Sequence, residues 1–98
     1  MGPLRFEWSA AKAAANLRKH GVSFEEAETA FADDRARVID DPDHSADEAR
    51  FILLGLSAAL RVLVVVHCYL EPDDVIRLIS ARKATRSERA QYDAQGSR

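Results

Sequence analysis

Residues 75 to 92 read V-I-R-L-I-S-A-R-K-A-T-R-S-E-R-A-Q-Y. Val75, Ile76, Leu78 and Ile79 form a β-branched, apolar run, which predicts a strand over residues 75–83. Arg82 and Lys83 stand at its end. Thr85 then opens a helix, with Glu88 at the reciprocal position of a capping box, T-x-x-E. Arg86, Arg89 and Tyr92 recur every three residues on one face of that helix. A strand end and a helix start loaded with cationic groups predict a place that holds phosphate. A solvated basic helix face is the plain alternative.

Working back from this stretch, residues 71–74 (E-P-D-D) predict a turn. Residues 60–70 form an apolar strand, and residues 50–56 another, joined through 57–59. Connections this short require antiparallel neighbours. A four-residue turn sets Leu70 opposite Val75. In that register Arg61, Leu63, Val65, His67 and Tyr69 share a face with Ile76, Leu78, Ser80 and Arg82. The other face carries Val62, Val64, Val66, Cys68, Leu70, Val75, Ile79 and Ala81, and is expected to be the core face against the N-terminal helices. Arg61 and Arg82 then lie near a cross-strand diagonal. Two neighbouring arginines suit one phosphodiester, to which each offers paired hydrogen bonds; pairing with carboxylates from the 40–48 loop is the alternative.

The N-terminal half supplies the helices. Leu4, Phe6 and Trp8 alternate with Arg5 and Glu7, a short strand. Ser9 caps a helix over residues 10–20, which Gly21 ends in a left-handed conformation. Ser23 begins a second capping box with Glu26, and Phe24, Ala27, Ala30 and Phe31 form that helix's apolar face. Ala36, Val38 and Asp40 alternate with Arg37 and Ile39, which predicts a short edge strand, and 40–48 predict a polar loop around Pro42. The expected fold class is α+β: N-terminal helices packed on one face of an antiparallel sheet, with a C-terminal helix reaching about Ala94, in one domain over residues 1–98.

Composition narrows the function classes. The chain has 98 residues, 47% of them hydrophobic, which fits one globular domain. No apolar run approaches the roughly 20 residues of a membrane span. The N-terminus lacks a basic start followed by an apolar core, so no signal peptide is expected, and a cytoplasmic location is. The one cysteine, Cys68, excludes an internal disulfide and a cysteine-based zinc site. The net charge of −2 hides a division: residues 25–48 carry ten acidic side chains against Arg35 and Arg37, whereas residues 77–89 carry five basic ones against Glu88. A nucleic-acid ligand is compatible with that local field.

Among candidates for chemistry, His67 and His20 offer proton transfer. The structural alternatives are a hydrogen-bonded strand histidine and a charge at a helix end. Lys83, Arg86 and Arg89 extend the phosphate site or track a backbone, with Lys83 alternating onto the core face and a place at the sheet rim as its alternative; Tyr92 stacks on a base or packs as core. His44 is expected in solvent. There is no Gly-rich phosphate loop and no H-E-x-x-H. The 40–48 loop lacks the glycine and spacing of a calcium loop, so no metal or other cofactor is expected. The remaining chemistry is cleavage of RNA with its own 2′-OH as nucleophile, which needs alignment, charge stabilisation and proton movement.

The chain resembles the BrnT toxins, the ribonuclease half of a type II toxin–antitoxin pair. The resemblance rests on Phe6-Glu7-Trp8, Lys12, the run N-L-R-K-H-G-V-S-F-E-E-A over 16–27, Asp40-Asp41-Pro42, Arg50-Phe51, Gly55, Ser57, Arg61 to Val65, the run R-L-I-S-A-R-K-A-T over 77–85, Glu88 and Tyr92. Ser9 replaces the usual Asp, and Leu60 the usual Gly. The resemblance implies a RelE-like fold, RNA cleavage that halts translation, and a ribbon-helix-helix, BrnA-like antitoxin that alone touches operator DNA. It carries Lys19, Arg61 and Arg82 over as basic functional positions, with His20, His67 and Glu48 or Arg50 beside them; Arg50, Ser80, Lys83, Arg86, Arg89 and Tyr92 would contact RNA. A non-catalytic RNA- or antitoxin-binding module, or a toxin inactivated through Leu60, is the rival reading.

Overall fold

A computed structural model of the chain describes residues 4–42, 49–70 and 74–96. The expectations for His44, Glu48 and most of the 71–74 turn lie outside these residues. Five strands, β1 (Arg5–Glu7), β2 (Arg37–Asp40), β3 (Phe51–Leu56), β4 (Val62–Leu70) and β5 (Val75–Lys83), form one sheet in the order β1-β5-β4-β3-β2. The helices are α1 (Ala10–His20), α2 (Phe24–Thr29), which runs into a 3-10 turn at Ala30–Ala32, and α3 (Arg86–Gly96). The β2–β3–β4–β5 pairs are antiparallel, but β1 runs parallel to β5, so the sheet is mixed rather than antiparallel. About two thirds of the chain separates β1 from β5, so no hairpin dictates their direction.

The caps form where the sequence places them. Ser9 Oγ accepts from Lys12 N at 3.3 Å, and Gly21, at φ 70°, closes α1 by donating to the Leu17 carbonyl. Ser23 Oγ accepts from Glu26 N at 3.0 Å. Thr85 and Glu88 make the full reciprocal box, with Thr85 Oγ1 accepting from Glu88 N and Glu88 Oε1 accepting from Thr85 N.

The strand register departs from expectation at one point. Leu70, Tyr69, Cys68 and His67 pair with Val75, Ile76, Arg77 and Leu78, as the four-residue turn requires. The next pair is Val66 with Ser80, so Ile79 is an extra residue in β5, a bulge. From there on every β5 side chain changes face. Ala81 now opposes Val65, Arg82 opposes Val64 and Lys83 opposes Leu63.

The core face is not the one expected but the other, the face of Arg61, Leu63, Val65 and His67. Leu53, Leu63, Val65, Ile76, Leu78 and Ala81 pack against Val22, Phe24, Ala27 and Ala30, with Phe6, Trp8 and Phe31 at the border. Val64 and Cys68, on the other face, are buried as well. Because β4 is apolar on both sides, alternation alone could not tell which side the helices cover.

Beyond Glu7, β1 stops and leaves the edge of β5 open. Asn16 on α1 fills the gap. Its side-chain amide accepts from Ala81 N (3.0 Å) and donates to the Ala81 carbonyl (2.8 Å), as a neighbouring strand would, and donates again to the Val22 carbonyl (2.9 Å). The residue is buried. Replacing it strands three buried backbone groups, each worth roughly 1–3 kcal/mol when unpaired. Asn16→Ala should lower the unfolding free energy by about 3 kcal/mol in urea titrations; a loss below about 1 kcal/mol would show that the edge finds other partners.

Candidate functional site

The C-terminal end of α1 meets the start of β4. Arg61 just precedes β4, and its carbonyl accepts from Ser57 N, so the β3–β4 ladder continues through it. It lies on the helix-covered face with Leu63. Its Nε donates to Glu26 Oε2 at 2.9 Å, and its Nη2 donates to Glu26 Oε1 and, at 3.2 Å, to the Gly21 carbonyl. Ser57 Oγ donates to the same Glu26 Oε2 at 2.7 Å. The hydrogen bonds from Arg61 hold the Glu26 carboxyl below its ordinary range, against a smaller opposing effect of burial. Arg61 Nη1 has no partner among the described residues, and the side chain is about one-third exposed.

Glu26 was legible only as a helix cap. In S-x-x-E its side chain should reach back to Ser23, but here it is committed to Arg61 and Ser57. Thr29 completes the brace: Thr29 Oγ1 donates to the Glu26 carbonyl (2.6 Å) and accepts from Ala58 N (2.8 Å). The 57–60 turn closes with Leu60 at φ 64° and its N–H on the Ser57 carbonyl. A left-handed non-glycine residue costs about 1–2 kcal/mol, yet the turn forms and Arg61 keeps its place.

The bulge separates Arg61 from Arg82. Opposite Val64, Arg82 belongs to the other face, where it makes a two-pronged bond to Glu88 (2.8 and 2.9 Å). The expected Arg61–Arg82 clamp is therefore not formed. Lys83, opposite Leu63, takes Arg82's place on the face of Arg61, and is exposed. The alternative that each arginine pairs with a carboxylate is what the structure has, though the carboxylates come from helix N-termini and not from the 40–48 loop.

Lys19, His20 and Ser80 come together. With Lys12, Asn16 and Ile79 they line a shallow cleft of about 250 Å³ between α1 and β5. Gly21, whose carbonyl Arg61 holds, directly follows His20, and Lys83 pairs with Leu63, two residues beyond Arg61, so the chain ends that carry Lys19, His20, Arg61 and Lys83 adjoin at one corner of the sheet. Arg86 and Arg89 are exposed on α3, whose Glu88 holds Arg82.

Three expected site residues lie elsewhere. His67 is fully buried among the rings of Phe31, Phe51 and Tyr69. Its ring nitrogens lie 3.2 Å from the Val65 carbonyl and 3.3 Å from Tyr69 Oη, and burial lowers its pKa. A neutral imidazole in an aromatic core cannot touch a bound phosphate in this conformation. Tyr92 is also buried; its hydroxyl donates to Asp33 Oδ2 at 2.5 Å, and burial together with that carboxylate pushes its pKa up to about 12. No base can stack on it there. Asp33 also accepts from Leu56 N and Arg35 N; burial works to raise its pKa, but these bonds hold it low. Arg50 precedes Phe51, which pairs with His67, so it sits at the far end of β4, roughly 20 Å from Arg61 at 3.3 Å per residue.

Fold and site together describe a small α+β protein whose one mixed sheet carries a cationic corner beside the end of its first helix. A family model described as the ribonuclease toxin, BrnT, of type II toxin–antitoxin systems matches residues 8–88. The chain belongs to this family of ribonuclease toxins, whose members are paired with an antitoxin. It is also similar to the 1.1 Å crystal structure of the Brucella abortus ribonuclease toxin BrnT, with a TM-score of 0.65 at 23% identity, over 86% of this chain and 100% of that one. At that identity the likeness speaks for the fold. No curated protein matches the chain. Among the described residues no helix is long and apolar enough to cross a membrane.

The Arg82–Glu88 pair makes stability depend on pH. Hydrogen bonds from Arg82 foremost, then from Thr85, lower the Glu88 carboxyl from 4.5 to about 2. A carboxyl lowered on folding stabilises fully above its unfolded pKa, and that contribution drains away as pH falls toward the folded value. Urea titrations of Glu88→Gln should show lower stability at neutral pH and a shallower decline than the parent between pH 4.5 and 2. Parallel curves would mean that the pair contributes nothing to folding.

Proposed function

We propose that this ribonuclease toxin cleaves RNA without a metal, at the corner formed by Lys19, His20, Arg61 and Lys83. The observation that carries this reading is the state of Arg61. Two bonds to Glu26 and one to the Gly21 carbonyl fix its plane, while Nη1 keeps two N–H donors for a phosphate oxygen. A guanidinium fixed in advance stabilises developing charge without reorganising at the moment of reaction.

In the reaction the 2′-oxygen attacks the adjacent phosphorus and the bond to the 5′-oxygen breaks. His20 accepts the 2′-hydroxyl proton, and Lys19 donates one to the leaving 5′-oxygen. Arg61 and Lys83 bear the extra negative charge of the five-coordinate phosphorus. The products are a 2′,3′-cyclic phosphate and a 5′-hydroxyl, and no proton or electron is left over. Arg86 and Arg89 on α3, and Arg82 where it is not held by Glu88, contact RNA outside the reacting group. Cleavage of messages halts translation in the cytoplasm. A ribbon-helix-helix antitoxin of the BrnA kind covers the site and carries the contact with operator DNA. A RelE-like fold belongs to the same reading.

Purified protein and a 5′-labelled RNA test it. Cleavage should persist in EDTA and leave 2′,3′-cyclic ends. Arg61→Ala should lower the rate by about 100-fold or more, with Arg61→Lys in between. Loss of cleavage in EDTA, or full activity of folded Arg61→Ala, would overturn the reading. RNA retention with no cleavage product would favour a non-catalytic binding module instead.

A further inference from the structure

Lys12 borders two clefts. One is the cleft shared with Lys19, His20 and Ser80; the other, of about 510 Å³, is lined by Trp8, Arg77, Glu7, Ser9 and Leu78. Lys12 lines both, so the two clefts adjoin along the side of α1 as a groove from Lys19 and His20 to Trp8. Lys12 and Lys19 are seven residues apart, so they stand on one helix stripe about 10 Å apart along the axis. Among the described residues no carboxylate lines the inner cleft. The one in the outer cleft, Glu7, is tied to Arg77 by bonds of 3.0 and 2.6 Å. In a chain of net charge −2, this is a local run of positive charge.

Trp8 stands at the far end, half-buried and held edge-on against Phe24 at a centroid distance of 5.8 Å. A cationic track with an aromatic ring on a rigid base suits single-stranded nucleic acid: ammonium groups follow the backbone and the ring takes a base. Among the described residues that line the groove, Asn16 is spent on backbone groups and Glu7 is tied to Arg77, which leaves chiefly the lysines and the Trp8 ring to meet a strand.

We propose that this groove is the subsite for the RNA strand next to the scissile phosphate, with Lys19 and Lys12 on successive phosphates and Trp8 stacked on an unpaired base. It rests on the reading of the corner as the place of cleavage and adds the path of the substrate. The substrate class that follows is single-stranded RNA with little sequence preference on this side, since a duplex cannot present a base to Trp8.

Trp8 is the chain's one tryptophan, so its fluorescence reports on this end of the groove alone. The probe is a short 2′-O-methyl oligoribonucleotide of mixed sequence, which lacks the nucleophile and cannot be cleaved. Binding should quench Trp8. Lys12→Glu should weaken binding about 10-fold, raise KM and lower the slope of log affinity against log salt by about 0.7. Arg61→Ala should lose cleavage and keep the quench. Binding without a change in Trp8 emission, Lys12→Glu with parental affinity and salt slope, or no binding at all would each overturn the groove. Quenching and a Lys12 effect in a parent protein that cleaves nothing would leave the groove standing and remove the nuclease reading.

Discussion

The bond between Arg61 and Glu26 joins the parts that have to meet. Glu26 is in the first turn of α2, Arg61 leads into β4, Ser57 turns the chain between β3 and β4, and Gly21 ends α1. One carboxylate and one guanidinium fasten all four. A pair this close to the surface contributes modestly to stability when it stands alone. Here both charges are also held by hydrogen bonds to Ser57 and to the Gly21 carbonyl, which restricts the geometry of the site more than it adds to the fold. The arrangement repeats on the other face, where Glu88 at the N-terminus of α3 holds Arg82. In both cases the third residue of a capping box holds an arginine from the end of a strand, and the positive end of the helix dipole favours the carboxylate.

Most of the fold was legible. Ser9, Gly21, Ser23, Thr85 and Glu88 cap helices because local hydrogen bonding decides those positions, and local rules read well from sequence. The strands and their order along the chain follow from apolar runs and short turns. What was not legible is the bulge at Ile79. A period of two carries no sign of an inserted residue when both faces of the neighbouring strand are apolar, as in Val62 to Val66. The parallel pairing of β1 with β5 was hidden too, since it depends on contacts across the length of the chain.

Of the residues expected at the candidate site, Lys19 and His20 end the helix whose Gly21 carbonyl Arg61 holds, and the resemblance to a ribonuclease toxin family pointed to all three. Arg82 does not join them, because the bulge moves it to the other face and brings Lys83 over. His67 and Tyr92 look like functional side chains in a sequence, but they serve the core, one inside an aromatic cluster and the other on Asp33. Glu26, Asn16 and Lys12 were the residues passed over. The first two looked like ordinary helix positions because their partners, Arg61 and Ala81, are distant in sequence.

The central claim is that register, through the bulge, decides which cation works with Arg61. Single-turnover cleavage by Lys83→Ala and Arg82→Ala, each measured on folded protein alongside its urea stability, tests it most directly. Lys83→Ala should slow the chemical step by about 10-fold or more with parental stability, while Arg82→Ala should lose stability and cleave at close to the parental rate. The reverse pattern, a slow Arg82→Ala beside an unimpaired Lys83→Ala, would contradict the account.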